Sequence, residues 1–437
     1  MRFGVEKLSN PFRVKTEPSS GPSYFEASGS RTILKKGEFQ SPNYVKSRKG
    51  WRVNSEGEAE FQKVHIGSQL ITLAPGDSLQ AAIDDLSLGD GGHIFLQAGT
   101  YNILNTVNLK SSIQIEGENK STTIIDFGSA SRQFKATGTS IYTTGTITSI
   151  ANGVTVTGSG TLWLANVTAD HQFFIANRWY KIASITSDTT LVLAEGYAGG
   201  ATFPGAAYRA VKIIKDIEFK ELTIQNSTTN ALDLDDCRDI TFDGVQFITN
   251  NKGVVADNCS ELIFNEIIIV SSTSNGLELN TCGFSNANSL STPSNGGHGV
   301  VFNDFRIGSF FACSSDSNTG DGYNLTSCSV LNLNIESSSN GGQGIELVSG
   351  NTGINIVDGF IESNTSDGIK LTASSDRTII SRNHIIANGA YGVNIFASTC
   401  DSPLVIGCIF DNNTSGAINN SGTNTLIRSN IGAADSP

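Results

Sequence analysis

Eight glycines recur at nearly constant spacing through the second half of the chain: Gly253, Gly276, Gly299, Gly322, Gly344, Gly368, Gly392 and Gly416. The successive intervals are 23, 23, 23, 22, 24, 24 and 24 residues, so one structural unit repeats with little drift. A unit this short cannot bury its own apolar face. It must stack on its neighbours.

Each glycine introduces a short alternating segment, as in Val254 to Ala256, Leu277 to Leu279, Ile345 to Leu347 and Ile369 to Leu371. Period-two alternation is the signature of a strand with one buried face, not of a helix. A second strand follows in most units, for example Ile240-Thr241-Phe242, Leu331-Asn332-Leu333 and Ile354-Asn355-Ile356, after turns rich in Asn, Ser, Asp and Gly. A leucine-rich repeat has a similar period but needs an L-x-x-L-x-L-x-x-N frame, which does not recur. The pattern predicts an all-β parallel β-helix, its coils about 4.8 Å apart, with equivalent side chains stacked in ladders.

Charge divides the 437 residues unevenly. Residues 1 to 63 carry 12 Lys plus Arg against 7 Asp plus Glu, and the remainder carries 17 against 34. A basic head on an acidic shaft predicts different partners for the two ends and no nucleic acid on the shaft. No run of eighteen apolar residues occurs, so no membrane insertion is expected. The opening Met1 to Lys7 lacks an apolar core and does not read as a secretory signal, which implies synthesis in the cytoplasm.

Seven cysteines are present, and Cys259, Cys282 and Cys328 each lie six residues after a repeat glycine, with Cys237 in the equivalent place. This spacing predicts a ladder of buried thiols rather than disulfides or a metal site. The five histidines show no metal-ligand spacing, and no cofactor is expected.

Five segments are expected. Residues 1–49 hold four of the nine prolines without sustained periodicity and read as an extended docking arm. Residues 50–69 contain GWRVNSEGEAEF, a hairpin signal. Residues 70–134 open with Asp77-Ser78 before an apolar helical face at Leu79, Ala82, Ile83 and Leu86, followed by the first coils. Residues 135–209 interrupt the repeat with Thr-, Gly- and aromatic-rich strands, predicting a small antiparallel barrel that projects sideways. Residues 210–437 are the repeats.

The hairpin string closely resembles the G-W-R-I-x-x-x-G-x-A-E-F element of bacteriophage tail and host-recognition proteins. The order of short helix, G-G-x-I-x-L-x-x-G-x-Y at residues 91–101 and I-x-I-x-G at 113–117 resembles the opening of pectate-lyase-like right-handed parallel β-helices, including phage tailspikes. The interrupting segment, with V-T-G-S-G-T-L-W at 156–163 and W-Y-K-I at 179–182, is similar to β modules of phage tail fibres. The resemblance implies a capping helix, a homotrimer, and a virion tail location. Residues 1–63 would then dock on other tail or baseplate proteins, with Trp51, Arg52 and Phe61 in the contact.

Chemistry has two candidate seats. Asp233 and Asp235 on one coil, Asp257 on the next and Glu278 on the one after project outward, at separations that suit a glycoside hydrolase pair. The same carboxylates could bind Ca²⁺, or serve only as the polar surface that any soluble solenoid needs. A lyase would require a basic group beside a uronate, and only Lys370 and Arg306 stand out. The other seat is aromatic: Trp163, Trp179, Tyr180 and Tyr197 could stack on sugar rings, or form the core of the interrupting module. Three functions follow: a tail spike or fibre recognising host surface polysaccharide, a polysaccharide depolymerase, or a structural virion component.

Overall fold

In the computed structural model the glycine period becomes two long ladders of parallel strands. The structure describes residues 69–88, 91–151, 153–197 and 205–433 in full, together with the backbone of six short strands before residue 62. Residues 1–68 form one unit and 69–437 a second. In the first unit, Trp51–Asn54 pairs antiparallel with Ala59–Phe61, as the hairpin signal predicts.

In the second unit an eleven-stranded parallel sheet runs from Val107–Asn108 through Phe134–Thr137, Asn230–Asp235 and Lys252–Asp257 to Gly416–Asn420. A twenty-stranded sheet supplies the remaining sides of every coil. The register is set by burial, because a one-residue slip would turn the apolar row outward. Leu279, Phe302, Leu325, Leu347, Leu371 and Ile395 face one another in successive strands. All six are fully buried and form one row of a continuous core. Phe219, Phe242 and Phe264 stack likewise, with centroids 5.6 and 5.1 Å apart and interplanar angles of 8° and 11°. The solenoid expected from the repeat is therefore present.

The repeat glycines owe their place to crowding. A Cβ on Gly322 would lie 2.7 Å from the Gly344 carbonyl oxygen and 2.1 Å from Ser337 Oγ. One on Gly344 would lie 2.6 Å from the Gly368 carbonyl oxygen. Of the eight repeat glycines only Gly416 has positive φ, at 120°. The left-handed turns are made elsewhere, and not only by small polar residues. One corner is turned by Asp239, Glu261, Phe284, Ile307 and Val330, with φ between 54° and 60°. Left-handed backbone is unfavourable for β-branched residues, so the stacked neighbours of Ile307 and Val330 must hold them there.

Beneath the glycines runs a ladder of buried asparagines. Asn295, Asn318, Asn340, Asn364 and Asn388 each donate from Nδ2 to Oδ1 of the next, at 2.9 to 3.0 Å, ending on Asn413. Each Oδ1 from Asn318 to Asn413 also accepts the backbone N–H of the asparagine one coil earlier. Buried amides are tolerated because these bonds are made. The seven cysteines are buried free thiols, and Cys237, Cys259, Cys282 and Cys328 donate to backbone carbonyls at one corner.

The helix Leu79–Ser87 is N-capped by Ser78, whose Oγ accepts from the Ala81 amide. Leu79, Ala82, Ile83 and Leu86 enter the core beside the first strands. Between Thr139 and Lys212, seven strands form an antiparallel sheet with its own core of Trp163, Phe173, Tyr180, Leu191 and Tyr208. Its pairing order begins with Thr139–Tyr142 and ends with Thr146–Ala151. Ile147 of the last strand is bridged to Ala206, just ahead of Arg209–Lys212, the partner of the first strand, so both edges of the sheet meet the same stretch of chain. The stack is not broken, since Phe134–Thr137 pairs directly with Leu232 to Asp235.

Candidate functional site

Strand alternation determines which side chains the eleven-stranded sheet shows to solvent. Leu232 and Leu234 enter the core, so Asp233 and Asp235 point away from it. Asp235 faces Asp257 one coil on, and Asp257 faces Asn280. Asp233 faces Val255, which faces Glu278. Asp235 and Asp257 are thus ladder neighbours about 4.8 Å apart at the backbone, whereas Asp233 and Glu278 are separated by two coils.

Each of these carboxylates already has protein partners. Asp233 Oδ2 accepts from Gln133 Nε2 at 3.1 Å and lies 3.6 Å from Lys135 Nζ. Asp235 Oδ1 accepts from Asn258 Nδ2 at 3.1 Å. Glu278 is held by Lys252 Nζ at 2.8 Å and by the Asn275 amide. Burial, reinforced by the negative charges of Asp235, Asp233 and Glu278, pushes the Asp257 carboxyl above its ordinary value, while a hydrogen bond from Asn280 opposes the rise. A carboxyl raised in this way has the environment that a general acid needs.

The same face continues with residues that sequence reading passed over. His298 Nδ1 lies 3.2 Å from Asp321 Oδ2. Asn324 Nδ2 donates to Asp321 Oδ2 at 2.9 Å and to Glu346 Oε2 at 3.4 Å, so one amide spans two carboxylates. Lys370 Nζ lies 3.6 Å from Glu346 and 5.7 Å from the centroid of the Phe396 ring. Burial pushes the Asp321 carboxyl up, but hydrogen bonds from His298, Asn324 and the Gln343 amide outweigh it and hold it below the ordinary range. Spacings of 22 to 24 residues, followed beyond Glu278, lead to Asn324, Glu346 and Lys370, whereas His298 and Asp321 lie at the offset of Lys252 and Asn275, one residue before the repeat glycines. The face carries more cations than Lys370 alone, and Arg306 belongs to the other sheet.

The aromatic candidates lie elsewhere. Trp163, Trp179 and Tyr180 are 0%, 0% and 1% exposed, so none has a free face for a sugar. Trp163 donates from Nε1 to Tyr208 Oη at 2.9 Å inside the module core. Tyr197 is half-buried, and burial pushes its phenol up to about 12. Among the described residues the exposed phenylalanines are Phe396 at 60%, Phe311 at 59% and Phe360 at 36%. Trp51, Arg52 and Phe61 lie outside the residues whose side chains are described.

Buried aromatics and ions instead fix the module to the shaft. Trp179 Nε1 donates to the Asn258 carbonyl at 2.7 Å. Arg209 forms a bidentate pair with the fully buried Asp236, at 2.9 and 2.6 Å. Arg178 and Arg238 converge on Glu261, at 3.0 and 2.6 Å. The hairpin loop Ala176-Asn177 has both residues left-handed, the geometry of a tight two-residue turn. The Asn177 side chain reaches the carbonyls of Cys282 and Asp304. The module therefore runs alongside the coils next to the Asp235 and Asp257 column.

Among the described residues, no group of three or more His, Cys, Asp or Glu is placed to hold a metal ion. No helix among them is long and apolar enough to cross a membrane. No protein-family model matches the sequence, and no curated protein matches it.

Solved structures do resemble it. The A-module of the Azotobacter vinelandii mannuronan C-5 epimerase AlgE4 is 14% identical, with a TM-score of 0.52 over 82% of this chain and 97% of that one. The tailspike gp61 of Pseudomonas phage phi297 is 13% identical, with a TM-score of 0.53 over 81% of this chain and 68% of that one. The catalytic domain of a GH87 alpha-1,3-glucanase is 9% identical, with a TM-score of 0.54 over 83% and 69%. What the chain has in common with these three proteins, a phage tailspike among them, is the parallel β-helix fold.

Proposed function

We propose that the chain is a bacteriophage tail spike or fibre that recognises a host cell-surface polysaccharide through the outward face of the eleven-stranded sheet. The observation that carries this reading is the predominantly polar face itself, in which Val255 and Val301 are apolar. It extends from Lys135 to Asn419 across ten successive strands, on a fold similar to that of a phage tailspike. Polysaccharides are bound by such arrays of hydroxyl-matching amides, carboxylates and ammonium groups. The chain would act as a homotrimer at the virion tail, with residues 1–63 docking on other tail or baseplate proteins through Trp51, Arg52 and Phe61. The GWRVNSEGEAEF string and the basic balance of that segment support this part.

Binding is favoured over depolymerisation because Asp233, Asp235 and Glu278 are each engaged by an amide or ammonium donor. The pair Asp235 and Asp257 supplies the hydrolytic alternative, with Asp257 as the acid.

The test is retention of the purified full chain on a panel of immobilised bacterial capsular and O-antigen polysaccharides, with reducing ends measured in the same samples. Retention without new reducing ends is expected. Release of reducing ends, abolished by Asp257→Asn, would make the protein a depolymerase. Folded protein retained on nothing in the panel would contradict glycan recognition.

A further inference from the structure

Charges on the outward face of the eleven-stranded sheet follow a rule. Four basic–carboxylate pairs each join two adjacent coils: Lys135 with Asp233 at 3.6 Å, Lys252 with Glu278 at 2.8 Å and Lys370 with Glu346 at 3.6 Å and, in the turns just before their strands, His298 with the 5% exposed Asp321 at 3.2 Å. Reading along the sheet, the strands are Phe134–Thr137, Asn230–Asp235, Lys252–Asp257, Leu277–Asn280, Val300–Asn303, Tyr323–Thr326, Ile345–Ser349 and Ile369–Leu371. The pairs take these eight coils two at a time, with none skipped and none shared. At about 4.8 Å per strand, the motif repeats about every 9.6 Å.

Folding does not demand this arrangement. Partly exposed ion pairs contribute little to stability, and neighbouring positions on the same face are filled by amides, as where Asn303 donates to Asn280 at 2.8 Å. Val255 and Val301 also face outward, yet are only 7% exposed beside the paired charges and lie outside the main core. Every two coils thus present a small apolar floor or amide beside one donor–acceptor pair. Two pyranose rings of an extended chain span a similar length.

The balance of charge sets the class of glycan. Five carboxylates project from the strands of this face, Asp233, Asp235, Asp257, Glu278 and Glu346, while Asp321 and Asp367, in the turns just before their strands, are each only 5% exposed. Three lysines accompany them, Lys135, Lys252 and Lys370. A polyanionic chain laid here would meet net repulsion.

We propose that this face is a binding track for an uncharged polysaccharide lying along the solenoid axis, with one cation–carboxylate pair engaging the hydroxyl or acetamido groups of each two-sugar step. The proposal rests on the glycan-recognition reading above and adds the class and the register. Phe396, exposed beside Lys370, is the stacking platform at the far end of the track.

The test uses β-1,4-linked N-acetylglucosamine oligomers of two to six sugars, with hexagalacturonate as the anionic probe, titrated into the full chain by calorimetry. The uncharged oligomers are expected to bind with affinity rising at each even length. Hexagalacturonate is expected not to bind, and Phe396→Ala should weaken the hexamer roughly threefold to tenfold. Tighter binding of hexagalacturonate, a smooth length dependence, or a hexamer affinity unchanged in both Phe396→Ala and Lys252→Met would overturn the proposal. If bacterial polysaccharide is retained but these oligomers are not, the track falls and glycan recognition stands. If neither is retained, both fall.

Discussion

His298 and Asp321 sit on adjacent coils and meet through two atoms of the same aspartate. His298 Nδ1 lies 3.2 Å from the Asp321 carboxylate and 2.9 Å from the Asp321 backbone nitrogen. A neutral ring accepts from the amide at Nδ1, whereas a ring protonated there donates to the carboxylate. The carboxylate prevails, assisted by the charges of Glu346 and Glu278 against the opposing effect of burial, and raises the His298 pKa above its ordinary 6.5.

That shift fixes a pH window. A raised histidine contributes stability that is complete below 6.5 and is lost as pH rises through its folded pKa. A lowered Asp321 contributes stability that is complete above 3.8 and is lost as pH falls through its folded pKa. Their combined contribution is therefore fullest between about 3.8 and 6.5. An NMR titration should show His298 titrating above 6.5 and falling in Asp321→Asn. A wild-type value below 6.5 would mean that the amide bond dominates.

The clamp between module and shaft depends on Arg209. Burial raises the pKa of Asp236, and the guanidinium opposes that rise. Arg209→Met leaves a buried carboxylate without its counter-charge, a change that costs about 3 to 5 kcal/mol in comparable pairs. Limited proteolysis between residues 139 and 212 should accelerate in the variant while the repeats stay protected. An unchanged cleavage pattern would show that Trp179 and Asn177 suffice to hold the module.

Asn340 is the centre of the asparagine ladder. Its side chain accepts from the Asn318 amide groups and donates to Ser315, Ser337 and Asn364. Asn340→Leu strands several buried polar atoms at about 1 to 3 kcal/mol each. Chemical denaturation should show a loss of at least about 2 kcal/mol, and a smaller loss would indicate that water enters and repairs the ladder.

Crowding at the glycines gives a matching expectation. Gly344→Ala would force a Cβ to within 2.6 Å of a carbonyl oxygen on the next coil. The expected cost is about 1 to 3 kcal/mol, read as a lower denaturation midpoint. Gly153→Ala is the contrast, because its φ of 72° imposes backbone strain without any neighbour within 4 Å. Equal losses in the two variants would argue that conformation, not space, selects the repeat glycines.

The sequence made the stack legible because inward residues repeat with a constant period. Leu279, Leu325, Leu347 and Leu371 follow the glycines at a constant offset, and the structure places them in one buried row. Polar ladders were harder to see because they are distributed over several offsets. Asn295, Asn318, Asn340, Asn364 and Asn388 repeat as regularly as the glycines, yet asparagine is ordinary in turns, so its burial is invisible without the coil geometry. The outward carboxylates were located as far as Glu278. Beyond it, the pairing of His298 with Asp321 depends on contacts between coils that spacing alone does not reveal. Trp163 and Trp179 show the opposite problem. Their composition suits sugar stacking, but a small module consumes its large rings as core.

The most direct test is hydroxyl-radical footprinting of the full chain with and without a polysaccharide that it retains. Recognition by the eleven-stranded sheet predicts protection of His298, Tyr391 and Phe396, with Phe311 on the other sheet unchanged. Protection confined to Phe311 or Tyr197, with His298 and Phe396 still fully oxidised, would contradict it.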